Sequence, residues 1–132
     1  MDKKITLNSI IKKEDDIRHL GFGIKNNIIE KVDVNTIAHF GNVTCLEIYC
    51  ENICPMATYN NTQNLGLLIR ALIELLDISE EDGLRLSQIK HIPCRLIFND
   101  EHCSWGSKCI GIGHFMNNKF VFIEDLVKIN DF

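Results

Sequence analysis

No run of the chain approaches eighteen consecutive apolar residues, so no segment reads as a bilayer-spanning helix. The opening MDKKITLNSI has no continuous apolar stretch of the kind an export signal needs. An excess of positive charge is missing too. Fourteen Lys and Arg against eighteen Asp and Glu leave a formal net charge of −4. That balance argues against non-specific binding to a phosphate backbone, which requires a basic footprint. Lys3-Lys4 and Lys12-Lys13 are the nearest approach to one. GxSxG, HExxH, a strand-to-helix phosphate loop and a carboxylate pair at useful spacing are all absent from the sequence. These absences predict a soluble, cytoplasmic, non-enzymatic protein with no membrane partner, no cofactor and no metal.

What is present is an ordinary globular composition, 45% hydrophobic and 24% charged over 132 residues. This length suits one domain that buries about two-thirds of its unfolded surface. We therefore expect residues 1–132 to form a single domain, with 1–22 readable as an N-terminal extension. Six cysteines are many for this length. Without export they stay reduced, and reduced cysteine packs as a small hydrophobe.

Periodicity supplies the elements. Ile28, Val32 and Val34 alternate in NIIEKVDVN, with Glu30 as the exception on that face and Lys31, Asp33 and Asn35 pointing the other way. VTCLEIYCE (43–51) sets Leu46, Ile48 and Cys50 against Cys45, Glu47 and Tyr49, so the two segments form an antiparallel hairpin. Asn60, Asn61, Thr62 and Asn64 can each cap the helix that follows. That helix, 64–77, carries Leu65, Leu68, Ile69, Leu72, Ile73 and Leu76 at spacings of three and four, and leaves Arg70, Glu74 and Asp77 to solvent. Ser79 to Asp82 offers a cap and an acidic first turn for a short second helix. Residues 94–98 form a strand, as do 109–115 and 120–123, with Asn117-Asn118 as a tight turn between the last two. A helical turn over 124–128 closes the chain. The fold class is α+β: an antiparallel sheet of about five strands with one long helix packed on one face. Its expected core is Leu46, Ile48, Leu68, Ile69, Leu72, Ile73, Leu96, Phe98, Ile110, Ile112 and Val121.

Candidate chemistry is sparse. Cys50 and Cys54, or His91 and Cys94, have spacings that zinc tolerates, but Cys45 and Cys50 face opposite sides of one strand, so buried thiols are the preferred reading. His102-Cys103 and His114 with Cys109 are the only thiol–imidazole pairs, and alternation on a strand points the partners of each pair apart. Gly111-x-Gly113 continues as a strand and lets a bulky neighbour, Trp105 or the helix, lie on the backbone. Acidic clusters at 14–16, 80–82, 100–101 and 124–125 read as caps and turns, or else as an anionic face for a basic partner. Candidate partner-binding residues are Glu80, Glu81, Asp82, Asp100, Glu101, Trp105 and Lys108.

From the helix GLLIRALIELLDI, through ISEEDGLRLSQIKHIPCRLIF, to the hairpin IGIGHFMNNKFVFIEDL, the chain resembles a group of small phage- and prophage-encoded proteins of low-GC bacteria. In that group an Ile-Gly-His hairpin followed by an aromatic closes the chain, and Ile112, Gly113, His114 and Phe120 occupy that pattern here. The resemblance implies an accessory phage protein of the anti-CRISPR or anti-defence kind, acting in the host cytoplasm by stoichiometric occlusion of a Cas effector or similar bacterial defence protein. The rival expectation is a small-ligand or nucleotide-binding module, a sponge for a signalling molecule. Its pocket would lie between the sheet and the 100–108 loop, with Trp105 stacking on a base and Lys108 or Arg95 meeting a phosphate. The apolar surplus of the helix, together with Phe115, Met116, Phe120 and Phe122, further predicts a two-fold homodimer.

Overall fold

Between Gly23 and Ile37 the sequence is dense in Ile and Val and free of proline, the composition that favours extended backbone. A computed structural model of the chain describes residues 3–37, 43–53, 56–57, 65–78, 86–104 and 106–131. In it this stretch is a fifteen-residue strand, β1 (Gly23–Ile37). Five further strands follow: β2 (Val43–Cys50), β3 (Met56–Ala57), β4 (Ile92–Phe98), β5 (Cys109–His114) and β6 (Phe120–Phe122). They form one antiparallel sheet in the order β3-β2-β1-β4-β5-β6. The N-terminal half of β1 pairs with β4 and the C-terminal half with β2, and Ile29 alone is registered with both. The sheet thus meets the expected strand count, with the two-residue β3 added at one edge.

Two irregularities set which side chains face inward. On β1 the register steps from Ile29↔Cys50 to Lys31↔Tyr49, leaving Glu30 unopposed. Such a bulge exchanges the faces of the strand beyond it. Ile29 and Val32 are therefore buried, while Ile28, placed inward by simple alternation, is 37% exposed. On β5 the step from Ile97↔Gly111 to Phe98↔Cys109 leaves Ile110 unopposed. Ile110 consequently packs against the second core cluster, while Cys109 and Ile112 belong to the first.

The main core lies on one face of the sheet and joins Ile29, Val32, Leu46, Ile48, Leu96, Ile112 and Val121 to residues from three helices. The expectation of one long helix is corrected here. The helix α3 runs only over Leu65–Leu75, eleven residues, and buries Leu68, Ala71, Leu72 and Leu75. Ile69 and Ile73, expected in the core, are only partly buried at its margin. Two one-turn helices contribute to the same cluster: α1 (Leu7–Ile10), closed by a reciprocal Thr6–Ser9 cap, and α4 (Ile123–Leu126). Ile5 and Asn130 exchange hydrogen bonds of 2.7 and 3.0 Å, which fastens the start of the described chain to its end. The turns at 60–64 and 79–82 lie outside the described residues. A 3-10 turn at Leu86–Gln88 leads into β4.

The opposite face is covered at the β4-β5-β6 end by α2 (Glu14–His19). Its first turn is acidic and its last turn carries Arg18 and His19, as the helix dipole favours. Its Ile17 meets Ile97, Phe120 and Phe122. Just ahead of it, Lys12 exchanges backbone hydrogen bonds of 2.7 and 3.0 Å with Phe120. Phe120 and Phe122, counted as surplus apolar surface in the sequence, are thus buried within the chain.

The glycines of β5 do admit bulky neighbours, and among the described residues these come from the adjoining strands rather than from the helix; Trp105 lies outside the described residues. A Cβ on Gly113 would sit 2.2 Å from the Phe120 ring, and one on Gly111 would sit 2.6 Å from the Ile97 side chain. Gly66, on α3, has open space where its Cβ would be. Gly113→Ala is therefore expected to destabilise the fold by about 1–3 kcal/mol through overpacking. Gly66→Ala should stabilise it by about 0.5 kcal/mol through reduced chain entropy. Urea midpoints of the two variants check the pair of signs.

Candidate functional site

The connection between β5 and β6 is not a two-residue turn. The strands end at His114 and begin again at Phe120, leaving five residues, 115–119, and neither Asn117 nor Asn118 has positive φ. Side chains hold this turn instead. His114 is registered with Cys94, which puts its ring on the face that α3 covers. Its Nδ1 accepts the backbone N–H groups of Met116 (3.0 Å) and Asn117 (2.9 Å). Its Nε2 lies 3.1 Å from Asp77 Oδ2. An Nδ1 that accepts two donors carries no proton, so Nε2–H is the donor to Asp77.

Asp77 stands just beyond α3 with φ +52, the left-handed conformation that ends helices. Its carboxylate also receives Lys119 Nζ at 3.0 Å and Asn117 Nδ2 at 3.2 Å, and Lys119 reaches the Glu74 carbonyl at 3.3 Å. The Lys119 ammonium bonded to it holds Asp77 below the usual carboxylate range, against a smaller opposing effect of burial. From the other face of the sheet Arg95 donates to the carbonyls of His114 (2.9 Å) and Asn117 (2.8 Å), and Asn118 Oδ1 accepts the Glu14 N–H at 2.6 Å. The turn is tied down on both faces. It nevertheless presents Phe115, 43% exposed, and Met116, 77% exposed, to solvent.

A second feature lies at the other end of β5. The 99–108 loop is built on Asp100, whose carboxylate accepts hydrogen bonds from Ser104 Oγ, from Ser107 Oγ (3.4 Å) and from the His102 N–H (3.1 Å). The Ser104 bond is the main reason Asp100 stays below the usual carboxylate range. Asn99 and Lys108 close the loop with bonds of 2.9 and 3.1 Å. The Cys103 thiol lies where a side chain on Gly23 would be, 2.6 Å from its would-be Cβ. Around this loop and the ends of β1, β4 and β5 runs an open trough, lined by Lys25, Asn27, Glu51, Met56, Phe98 and Cys109 and, farther round, by Lys108, Phe122, Glu124 and Lys128.

Among the residues singled out in the sequence, Lys108 lines this trough, Asp100 faces into its own loop, and Glu101 is exposed beside His102 at 3.2 Å. Glu80, Glu81, Asp82 and Trp105 lie outside the described residues. Arg95 is not part of the trough. It is engaged across the sheet with Glu14 (2.7 Å) and the two turn carbonyls.

The thiol–imidazole pairs do not assemble. Because of the bulge, Cys109 and His114 share a face rather than facing apart, but they stand at opposite ends of a six-residue strand, about 17 Å apart at the usual rise. The Cys109 thiol points at Met56 Sδ, 3.3 Å away, and burial pushes its pKa up to about 12. Cys103 is raised as well, mainly by burial. Cys50 and Cys94 meet thiol to thiol in the core, and that hydrogen bond together with burial drives Cys50 far above the ordinary thiol range. Cys45 lies on the opposite side of β2 from Cys50, as alternation required. Among the described residues no three His, Cys, Asp or Glu side chains are grouped to hold a metal ion.

The Asp77–His114–Lys119 clamp was not legible in the sequence. Asp77 precedes His114 by 37 positions and Lys119 by 42, and the helical period places it on the solvent side. No known family model matches the chain, and no curated protein or solved structure is detectably similar to it. Among the described residues no helix is long and apolar enough to cross a membrane.

Two outcomes follow from these environments. Asp77 has a depressed pKa in the folded state, so its stabilising effect is complete above the ordinary carboxylate range and is lost as pH falls through the lowered value. Thermal melts of Asp77→Asn between about pH 5 and pH 2 should therefore show a shallower acid-side loss of stability than the parent. Iodoacetamide at neutral pH should leave Cys109 unmodified in the native protein, since only its thiolate attacks. Rapid labelling mapped to Cys109 would contradict the assigned environment.

Proposed function

We propose that the protein is a non-enzymatic binding protein that occludes a bacterial defence protein, a Cas effector or similar, in the host cytoplasm. The Phe115-Met116 turn is its anchor. The observation that carries this reading is the pairing of exposure with rigidity. A free loop loses about 1–2 kcal/mol of backbone entropy per residue when a partner orders it. Here the backbone beneath Phe115 and Met116 is already fixed by His114, Asp77, Arg95 and Asn118. Preorganised apolar anchors of this kind dominate binding energy at protein interfaces.

The setting of the turn supports a basic partner. Asp15 and Asp16 are exposed on α2, whose first residue bonds Asn118, and Glu74 is exposed on α3 beside Lys119. Surfaces that normally grip nucleic acid are basic, and an acidic rim steers association with them.

Cleavage assays with reconstituted effectors test the proposal. Equimolar protein should suppress cleavage by its target, and Phe115→Ala/Met116→Ala, with an unchanged melting temperature, should weaken suppression by about 10–100-fold. Undiminished cleavage at large molar excess across effector types would sink the idea.

The two-fold homodimer belongs to the same proposal, on a smaller patch than the sequence suggested. It would use the half-buried Leu65, Leu67, Ile69 and Ile73 of α3. Sedimentation at micromolar concentration should give twice 15.1 kDa, and a clean monomer would remove it.

A further inference from the structure

The cations of the chain are unevenly engaged. Lys4, Arg18, Lys31, Arg70, Arg95 and Lys119 each pair with a carboxylate. Lys3, Lys12, Lys13, Lys25, Lys90, Lys108 and Lys128 have no ion-pair partner among the described residues, and Lys25, Lys108 and Lys128 line the same trough. In a chain of net charge −4, the trough lining sets three exposed lysines against two carboxylates, a small excess of positive charge. Apolar edges reach the trough from both faces of the sheet, Met56 and Phe98 from one and Phe122 from the other. Two carboxylates, Glu51 and Glu124, complete the lining.

The walls are held before any ligand arrives. Asn99 fixes the backbone of Lys108 through both of its bonds. Asn27 takes the Glu51 N–H and donates to the Glu51 carbonyl, each at 3.0 Å, which fixes the end of β2 against β1.

We propose that this trough is a binding site for a mononucleotide-class anion. A multivalent phosphate satisfies several ammonium groups at once, which a single carboxylate does not. A flat heterocycle fits against thioether and phenyl edges. Hydroxyl and amino donors of the sugar and base find acceptors in the two glutamates. Inorganic phosphate would use only the lysines, and a fatty-acid anion would leave the glutamates without donors. The site is independent of the Phe115-Met116 turn and stands or falls separately from occlusion of a defence protein.

Titration calorimetry on the full chain, with ADP, adenosine, inorganic phosphate and oleate as probes, tests it. ADP should bind at least about tenfold more tightly than adenosine or phosphate alone, with affinity falling as salt rises. Lys108→Ala and Lys25→Ala should each weaken ADP by about tenfold, whereas Lys90→Ala, an exposed lysine outside the trough, should not. Phe115→Ala/Met116→Ala should bind ADP unchanged, which separates this site from the proposed anchor. Absence of ADP binding at millimolar concentration, equal binding by the lysine variants, or binding of oleate alone would overturn the assignment.

Discussion

Arg95 is the side chain on which the N-terminal and C-terminal parts of the fold converge. Only 15% exposed, it satisfies its guanidinium with Glu14 of α2 and with the carbonyls of His114 and Asn117. The plane of the group rests 4.5 Å above the Phe120 ring, and that ring in turn covers Gly113. A buried cation left without partners is strongly destabilising, whereas one with charge-assisted bonds on several sides holds each of its partners in place. The geometry therefore makes α2, β4, β6 and the 115–119 turn a single mechanical unit. The glycine belongs to that unit, since any side chain at 113 would lift Phe120 from the sheet and Arg95 with it.

A second constraint is the pair of bulges. With perfect alternation Ile28 would point into the core and Cys109 away from it, and α3 would cover a different set of residues. One unopposed residue on β1 and one on β5 re-aim both strands. The Glu30 bulge falls where β1 exchanges one neighbour for the other, close to Ile29, the sole residue registered with both β2 and β4. A fifteen-residue strand that serves two partners must accommodate the twist of each, and an inserted residue increases local twist at the junction.

This explains what could be read from residues alone and what could not. Leu68 and Leu72, Leu46 and Ile48, Leu96 and Phe98, and Ile112 and Val121 follow the periods of 3.6 and 2, and all are buried. Glu30 was visible as an anomaly in the alternation, but a single out-of-phase charge does not say whether a strand is bulged or merely imperfect. The sequence extends the helix too far because Leu76 continues its apolar stripe and Asp77 its polar face, while its termination depends on the left-handed Asp77 and its bonds to His114 and Lys119. The turn departs from the tight form because Asn-Asn tolerates positive φ without requiring it. Here the two asparagines act through their side chains and carbonyls, on partners at positions 14, 77 and 95 that no local pattern connects to them. The N-terminal segment shows no single period for a related reason. Leu7 and Ile10 belong to one face of the sheet and Ile17 to the other, so no single period describes a segment that wraps round an edge.

The proposed anchor and the proposed anion site occupy opposite ends of β5, and the nature of that strand decides how they relate. Coupling between distant sites needs an element with two accessible arrangements that each site biases differently. β5 is paired along both edges, to β4 and β6, and the space above its glycines is already filled by Phe120 and Ile97. A one-residue slip would drive those side chains into the backbone and move Ile112 off the core face, so no second register is available at modest cost. The 99–108 loop closes on itself through Asn99 and Asp100, and the turn closes on itself through His114 and Asp77. Each end is rigid for local reasons. Occupation of the trough therefore leaves the turn as it was, and the fold carries two separate surfaces on one stiff strand rather than a switch between them.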